Sequence, residues 1–263
     1  MSSPLRWVGG KSRLRQQIIE RFPEHVCYVE PFVGAGWVLF GKEPSRAEVI
    51  NDTDGELINF YRVLKHRPAE FAEQFHLELI SRQLFNEYRR FEEGKTELER
   101  AMRFYYVLKL SFGGRRGGSF GTYTQRGPGP VLSRLYFYAQ QFSERLASVV
   151  IENLTWQKCL DLYDRPHTLF YCDPPYPATP KGEALAGDYA ANMDWAAHEE
   201  LAARLRAAKG QWLLSYRDHP RIARLYRGRG GRRLTTERLA ITYSVGSKVG
   251  QGKAAAELLI RNF

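Results

Sequence analysis

Asp173-Pro174-Pro175-Tyr176 is the segment of this chain best suited to handling an amino group. An ionised Asp173 carboxylate accepts hydrogen bonds and donates none. Two prolines hold the backbone extended and offer no N–H, which leaves the Pro174 carbonyl free to accept as well. Together these acceptors would take both hydrogens of one amino group, while Tyr176 presents a flat face to the ring that bears it. The tetrapeptide directly follows the apolar run Thr168-Leu169-Phe170-Tyr171-Cys172. Ligands of open α/β sheets gather at the carboxyl ends of strands, where this segment would lie. The plainer alternative is an Asp-Pro-Pro turn that only ends a strand.

A second constellation lies near the start of the chain. Glu30-Pro31-Phe32-Val33-Gly34-Ala35-Gly36 follows an apolar strand, and the spacing predicts a helix opening at the glycines and running through Trp37-Val38-Leu39-Phe40. Gly34 and Gly36 would let the backbone turn tightly and approach a ligand, with helix-terminal N–H groups nearby. A dinucleotide fingerprint wants a third glycine where Leu39 stands, so nicotinamide chemistry is disfavoured. Asp52, 16 residues after Gly36, falls where a Rossmann-like fold hydrogen-bonds ribose hydroxyls. The same acid could instead cap a helix beginning near Asp54. Gly9-Gly10-Lys11-Ser12 ends like a phosphate-binding loop, but Leu5 replaces its first glycine and no strand can precede it.

The elements that must position these residues are legible as short apolar runs. Val26–Pro31, Ala47–Ile50, Val149–Ile151, Thr168–Cys172, Trp212–Ser215, Ala240–Val245 and Glu257–Ile260 predict strands. Helical spacing of Leu57, Ile58, Tyr61 and Leu64 predicts a helix over Asp54–Lys65. Strands alternating with helices imply a mostly parallel α/β sheet. Between residues 66 and 147 the periodicity is helical with almost no strand signal, so this block is expected to be an insertion. Residues 1–65 and 148–263 then form the main domain.

The chain has 263 residues with 39 Lys/Arg and 29 Asp/Glu, a formal charge of +10. Its 43% hydrophobic content excludes a disordered polymer, and no apolar run is long enough to span a membrane. No signal peptide is evident, and three cysteines without metal or disulfide spacing suit a reduced, cytoplasmic setting. The basic excess favours a polyanionic partner. It concentrates in Arg204–Arg238, with eleven Lys/Arg against two acids, and in Ser111–Leu135, with four arginines and no acid. In the second stretch Arg115, Arg116 and Arg126 mingle with glycines and with Phe112, Phe120 and Tyr123. That mixture suits phosphate contact and base stacking, or else a solvated surface loop.

With these residues in view, the chain resembles the Dam-type DNA adenine-N6 methyltransferases over nearly its whole length. The resemblance is carried by Leu5–Lys11, Glu30–Gly36, Ile50-Asn51-Asp52, Asp173–Tyr176, Trp212–Tyr216 and the closing Glu257–Phe263. Glycine motif, insertion and catalytic tetrapeptide stand in the order of the alpha group of these enzymes. The resemblance implies a Rossmann-like sheet with an antiparallel C-terminal strand and an inserted, mainly helical target-recognition domain. It implies S-adenosylmethionine as methyl donor, no metal, and a flipped adenine of double-stranded DNA as acceptor, with a monomeric enzyme expected. Carried over by position, Trp7 and Lys11 help to enclose the cofactor, and Glu30 binds its methionine amino group. Phe32, Gly34 and Gly36 shape the pocket, Asp52 holds the ribose, and Asp173, Pro174, Pro175 and Tyr176 are catalytic, with Asp173 also counted among the cofactor-binding residues. Arg115, Arg116 and Arg126 would contact DNA. Thr155-Trp156 stands where similar enzymes often carry an acid after the third strand, a departure that concerns the cofactor adenine.

Overall fold

A computed structural model describes the chain except residues 6, 8–9, 77–78, 91–95, 116, 122–131, 133, 178–192, 228–233 and 244–252. Seven strands form one sheet: β1 (Cys27–Glu30), β2 (Ala47–Asn51), β3 (Val149–Glu152), β4 (Thr168–Cys172), β5 (Gln211–Arg217), β6 (Thr235–Tyr243) and β7 (Lys253–Arg261). Their order is β3-β2-β1-β4-β5-β7-β6. From β3 to β5 all neighbours are parallel, whereas β7 runs antiparallel to both β5 and β6. Register aligns Val29 with Val49 and with Phe170, so Asn51 and Cys172 end one residue beyond the level of Glu30. Glu257 pairs with Arg217 at the carboxyl end of β5, because β7 runs the other way.

The helices among the described residues are α1 (Arg15–Ile19), α2 (Gly55–His66), α3 (Pro68–Glu73), α4 (Arg82–Arg89), α5 (Glu97–Leu110), α6 (Arg134–Leu146), α7 (Trp156–Tyr163), α8 (Trp195–Ala207) and α9 (Pro220–Leu225). Side chains alternate across a strand, and each face of the sheet is covered by its own set. Tyr28, Ile50, Leu169, Tyr171 and Leu213 join a cluster with residues of α2, α3, α5 and α6. Val29, Val49, Phe170, Cys172 and Leu214 point the other way, into a cluster with α7, α8 and α9. Helices α3 to α6 therefore share one continuous core with the sheet. Their inner face is aromatic, with Phe60 of α2 stacked on Tyr105 of α5 at 5.9 Å. A capping box between Thr96 and Glu99 starts α5.

Two expectations change. The helix expected after Gly36 does not form: the segment makes a single turn, with Phe40 N–H bonded to the Gly36 carbonyl at 2.9 Å and Lys42 N–H to that of Val38 at 3.0 Å. Gly41 is a poor helix former and Pro44 bars continuation beyond this turn. The strand expected from Ala240 begins at Thr235, inside the basic run. It is the outermost strand, and Glu237 and Arg238 occupy an edge where charge discourages further pairing.

Candidate active site

The strand order reverses between β1 and β4, and the crevice at such a reversal is where open α/β sheets bind ligands. A cavity of about 440 Å³ lies there, in the size range of small-molecule sites. Trp7, Lys11, Glu30, Phe32, Gly34, Gly36, Asp52, Asp173, Pro174, Pro175 and Tyr176, widely separated in sequence, all line it. Thr155, Trp156 and Gln157 close its side beyond β2.

The segment after β1 is shaped by two left-handed glycines, Gly34 (φ +47°) and Gly36 (φ +63°), a conformation that side chains with a Cβ rarely tolerate. A Cβ at Gly34 would lie 3.3 Å from Trp7 Nε1, so the indole closes over this turn. The Gly34 carbonyl accepts from Tyr61 Oη at 2.8 Å, and its N–H donates to Asp52 Oδ2 at 3.1 Å. Asp52 Oδ1 accepts from Asp54 N–H at 3.0 Å. The cap of α2 is Asp54, whose Oδ1 accepts from the N–H groups of Glu56 and Leu57, so Asp52 is not the capping residue. Asn51, fully buried, stitches the neighbouring loops together: its amide donates to the carbonyls of Pro31 and Leu154, and its Oδ1 accepts from Leu154 N–H at 2.8 Å.

Glu30 is 2% exposed and accepts from Tyr28 Oη at 2.8 Å. Burial pushes its carboxyl up to about 8, the tyrosine bond offsetting only part of that. Burial also lifts Asp52 to about 6, against the pull of the N–H groups of Asp54 and Gly34. Neutral donors do not repay the cost of withdrawing these charges from water.

At the other end the partners are ionic. Lys11 Nζ sits 2.6 Å from both oxygens of Asp173 and 3.3 Å from Glu257 Oε1. Tyr176 Oη donates to Glu257 and, at 3.3 Å, to Asp173, and the Lys11 ammonium lies 5.0 Å from the Tyr176 ring centre. Ser215 of β5 donates to Asp173 Oδ1 at 3.1 Å and pairs with Tyr171 Oη. Burial raises the Asp173 carboxyl, Lys11 pulls it back and Glu257 pushes it up again. This arrangement can hold a carboxylate with its oxygens presented to N–H donors in low dielectric.

Lys11, expected beside the cofactor with Trp7, thus lines the common cavity but commits its ammonium to Asp173. Phe32 and Trp156 face one another across the cavity side, ring centres 6.1 Å apart. Thr155 caps α7, leaving the position expected for an acid with a hydroxyl spent on Lys158 N–H. Arg115 lies in a tight reversal in which Phe112 N–H bonds to the Ser119 carbonyl and Arg89 reaches the Gly118 carbonyl. Arg116 and Arg126 lie outside the described residues. Glu257, Ser215 and Asn51 stood inside recognised segments without being singled out. The available signal was a lone acid or hydroxyl within an apolar strand, as in Ala256-Glu257-Leu258 and Leu214-Ser215-Tyr216.

A mostly parallel sheet of this order, with β7 reversed and acids gathered from strand ends at its switch point, is the architecture of an α/β methyltransferase. Comparison with known proteins narrows this. The family model of the D12 class N6 adenine-specific DNA methyltransferases matches residues 7–239, and the chain belongs to that family. It is 29% identical over 241 residues to a DNA adenine methylase of Vibrio cholerae serotype O1, covering 85% of this chain and 84% of that protein. The DNA adenine methylase of Haemophilus influenzae is 28% identical over 215 residues, covering 76% and 72%. That of Escherichia coli K12 is 28% identical over 181 residues, covering 65% and 64%. The activity of the chain is therefore DNA adenine methylation, and the family implies S-adenosylmethionine as donor.

Proposed function

We propose that the crevice binds S-adenosylmethionine at the Glu30–Asp52 end and a flipped adenine of double-stranded DNA at the Asp173–Tyr176 end. The residues fit the cofactor. Its methionine ammonium suits Glu30, a buried carboxylate that gains a cationic partner, and its ribose hydroxyls suit Asp52. A Cβ at Gly10 would fall 2.7 Å from Trp37 Nε1 and one at Gly34 against Trp7, so small residues keep this wall open. Phe32 and Trp156 offer flat surfaces beyond Asp52 for its adenine. When bound, the cofactor supplies an electrophilic sulfonium methyl.

The task left to the chain is to make adenine N6 nucleophilic, since its lone pair is delocalised into the ring. Asp173 and the Pro174 carbonyl accept the two N6 hydrogens, favouring a pyramidal nitrogen with its lone pair directed at the methyl. The same acceptors stabilise positive charge as it develops on N6, and fixed alignment contributes a further share. Tyr176, anchored through its hydroxyl, stacks on the base once it has left the helix. Methyl transfer to N6 would leave S-adenosylhomocysteine, and one of the two N6 hydrogens would then depart as a proton by way of Asp173 to solvent, giving N6-methyladenine.

The observation that carries this reading is the convergence of Glu30, Asp52 and Asp173, from the ends of three neighbouring strands, on one cavity. The test is transfer of labelled methyl from S-adenosylmethionine to matched duplex and single-stranded DNA, with wild type and Asp173→Ala. Labelled N6-methyladenine in the duplex, lost in Asp173→Ala, is expected. Label confined to the single strand, or surviving in Asp173→Ala, would overturn the reading.

A further inference from the structure

The Lys11 ammonium sits astride the carboxylate that must accept the substrate amino group. It lies 2.6 Å from each Asp173 oxygen, so an incoming N6 must compete with the lysine for the same acceptor oxygens. The side chains of Lys11 and Asp173 are only 7% and 20% exposed, and an ammonium displaced into such surroundings needs a counter-charge to offset its lost hydration. A second carboxylate is already in place. Glu257 projects from β7, is 1% exposed, and holds an oxygen 3.3 Å from the same nitrogen. It lies beyond residues 7–239 that match the family model.

We propose that Glu257 is a positioning residue for the methyl transfer: it receives the Lys11 ammonium when the adenine amino group takes its place on Asp173, while keeping hold of the Tyr176 hydroxyl. The lysine thereby has two stations, one occupied while Asp173 waits and one while it works. This rests on the reading of Asp173 as acceptor of N6. Charge counting explains why a lysine and two acids belong together. One cation and two carboxylates leave the pocket with a single net negative charge, which remains on Asp173 once Lys11 pairs with Glu257. Tyr176 follows, because its hydroxyl spans both carboxylates and a tethered ring is ready to stack.

Two single substitutions and their combination test this. In Glu257→Gln the amide still accepts from Tyr176, but the lysine loses its second carboxylate, so substrate competes with an ammonium held more firmly on Asp173. In Lys11→Met the two buried carboxylates face each other without a cation and share a proton. The double variant restores a single negative charge on an unobstructed Asp173. The expectation is that kcat/KM on DNA falls roughly tenfold or more in each single variant and is higher in the double variant than in either, a reversal of sign that simple scaffolding does not produce. The cofactor Kd of Glu257→Gln, read by calorimetry, is expected to stay within about twofold of wild type, as the site lies at the other end.

Groups facing the pair among the described residues include Lys11 from the N-terminal segment, Tyr171 and Ser215 from β4 and β5, Tyr176 after β4, and Glu30 at the end of β1. Removing the only cation among these named groups moves the acid limb of kcat/KM in Lys11→Met to higher pH by roughly one to three units. That measurement stands even if Glu257→Gln fails to fold. Additive losses in the double variant, an unmoved acid limb, or a cofactor Kd that weakens as much as kcat/KM would each overturn the proposal. Full activity in Asp173→Ala would instead overturn the reading on which it rests.

Discussion

Glu30 and Asp52 at one end of the crevice, and Asp173 and Glu257 at the other, are carboxylates largely withdrawn from solvent, yet they are met by different partners. The first two accept from a phenol and from backbone amides. The second two share a lysine ammonium and a tyrosine hydroxyl. Neutral donors leave the cost of burial partly unpaid, and Glu30 and Asp52 are accordingly pushed up to about 8 and about 6. An end of that kind gains most from a ligand bringing its own positive charge, as a methionine ammonium does. The other end already holds an ammonium of the chain's own, so it suits a neutral amine that exchanges with that ammonium. One crevice can therefore sort two ligands by charge before shape enters.

The contrast can be broken most forcefully at Asp173. Asp173→Asn removes the charge while keeping the size, and kcat is expected to fall by about 10²–10³, as on loss of one well-placed stabilising group. The cofactor Kd should barely move, and a parallel loss there would dissolve the distinction between the two ends. Next in size is Asp52→Ala, expected to weaken S-adenosylmethionine by about 10- to 100-fold, the worth of charge-assisted hydrogen bonds to hydroxyls. Calorimetry checks this, and an unchanged Kd would mean that Asp52 serves only to hold the Gly34 turn.

A gentler test reads protons. With Glu30 raised to about 8, its carboxyl is protonated near neutrality and must ionise to meet an ammonium. Cofactor binding near pH 7 should then release about one proton, measured from binding heats in buffers of different ionisation enthalpy, and Glu30→Gln should abolish the release. The sign for stability follows from the same shift. The folded chain holds a proton that the unfolded chain loses near 4.5, so the melting temperature without ligand should fall as pH rises from there towards about 8. Bound cofactor should flatten that slope. The smallest effect is expected away from the crevice. If Arg115 touches phosphate, Arg115→Ala should weaken binding evenly over sequences and lower the salt slope by about one unit. Relaxed preference at a single base position would instead mark a base contact.

Much of the sheet was legible because buried strands are short apolar runs: β4 is Thr168–Cys172 in sequence and structure alike, and α2 differs from its expected span by a residue at each end. The motif acids were legible for a related reason, each closing or following such a run. The turn after Gly36 was misread because Trp37-Val38-Leu39-Phe40 has the composition of a helix, while Gly41 and Pro44 decide the outcome a few residues later. The charge cluster was beyond reach for a different reason. Lys11 and Asp173 are 162 residues apart, Tyr176 and Glu257 are 81 apart, and only the sheet topology makes them neighbours. The described part of the basic run Arg204–Arg238 is spread over α8, β5, α9 and the start of β6.

The placement of β7 has a consequence for assembly. It is the last strand in sequence among those described, yet it sits between β5 and β6 and pairs with both. Until residues 253–261 leave the ribosome, β5 is an open rim and β6 has no place in the sheet. Until then the rim of β5 presents unpaired backbone to other chains. The strand that closes the rim also delivers Glu257 to the crevice, so sealing the sheet and completing the charge cluster are one event.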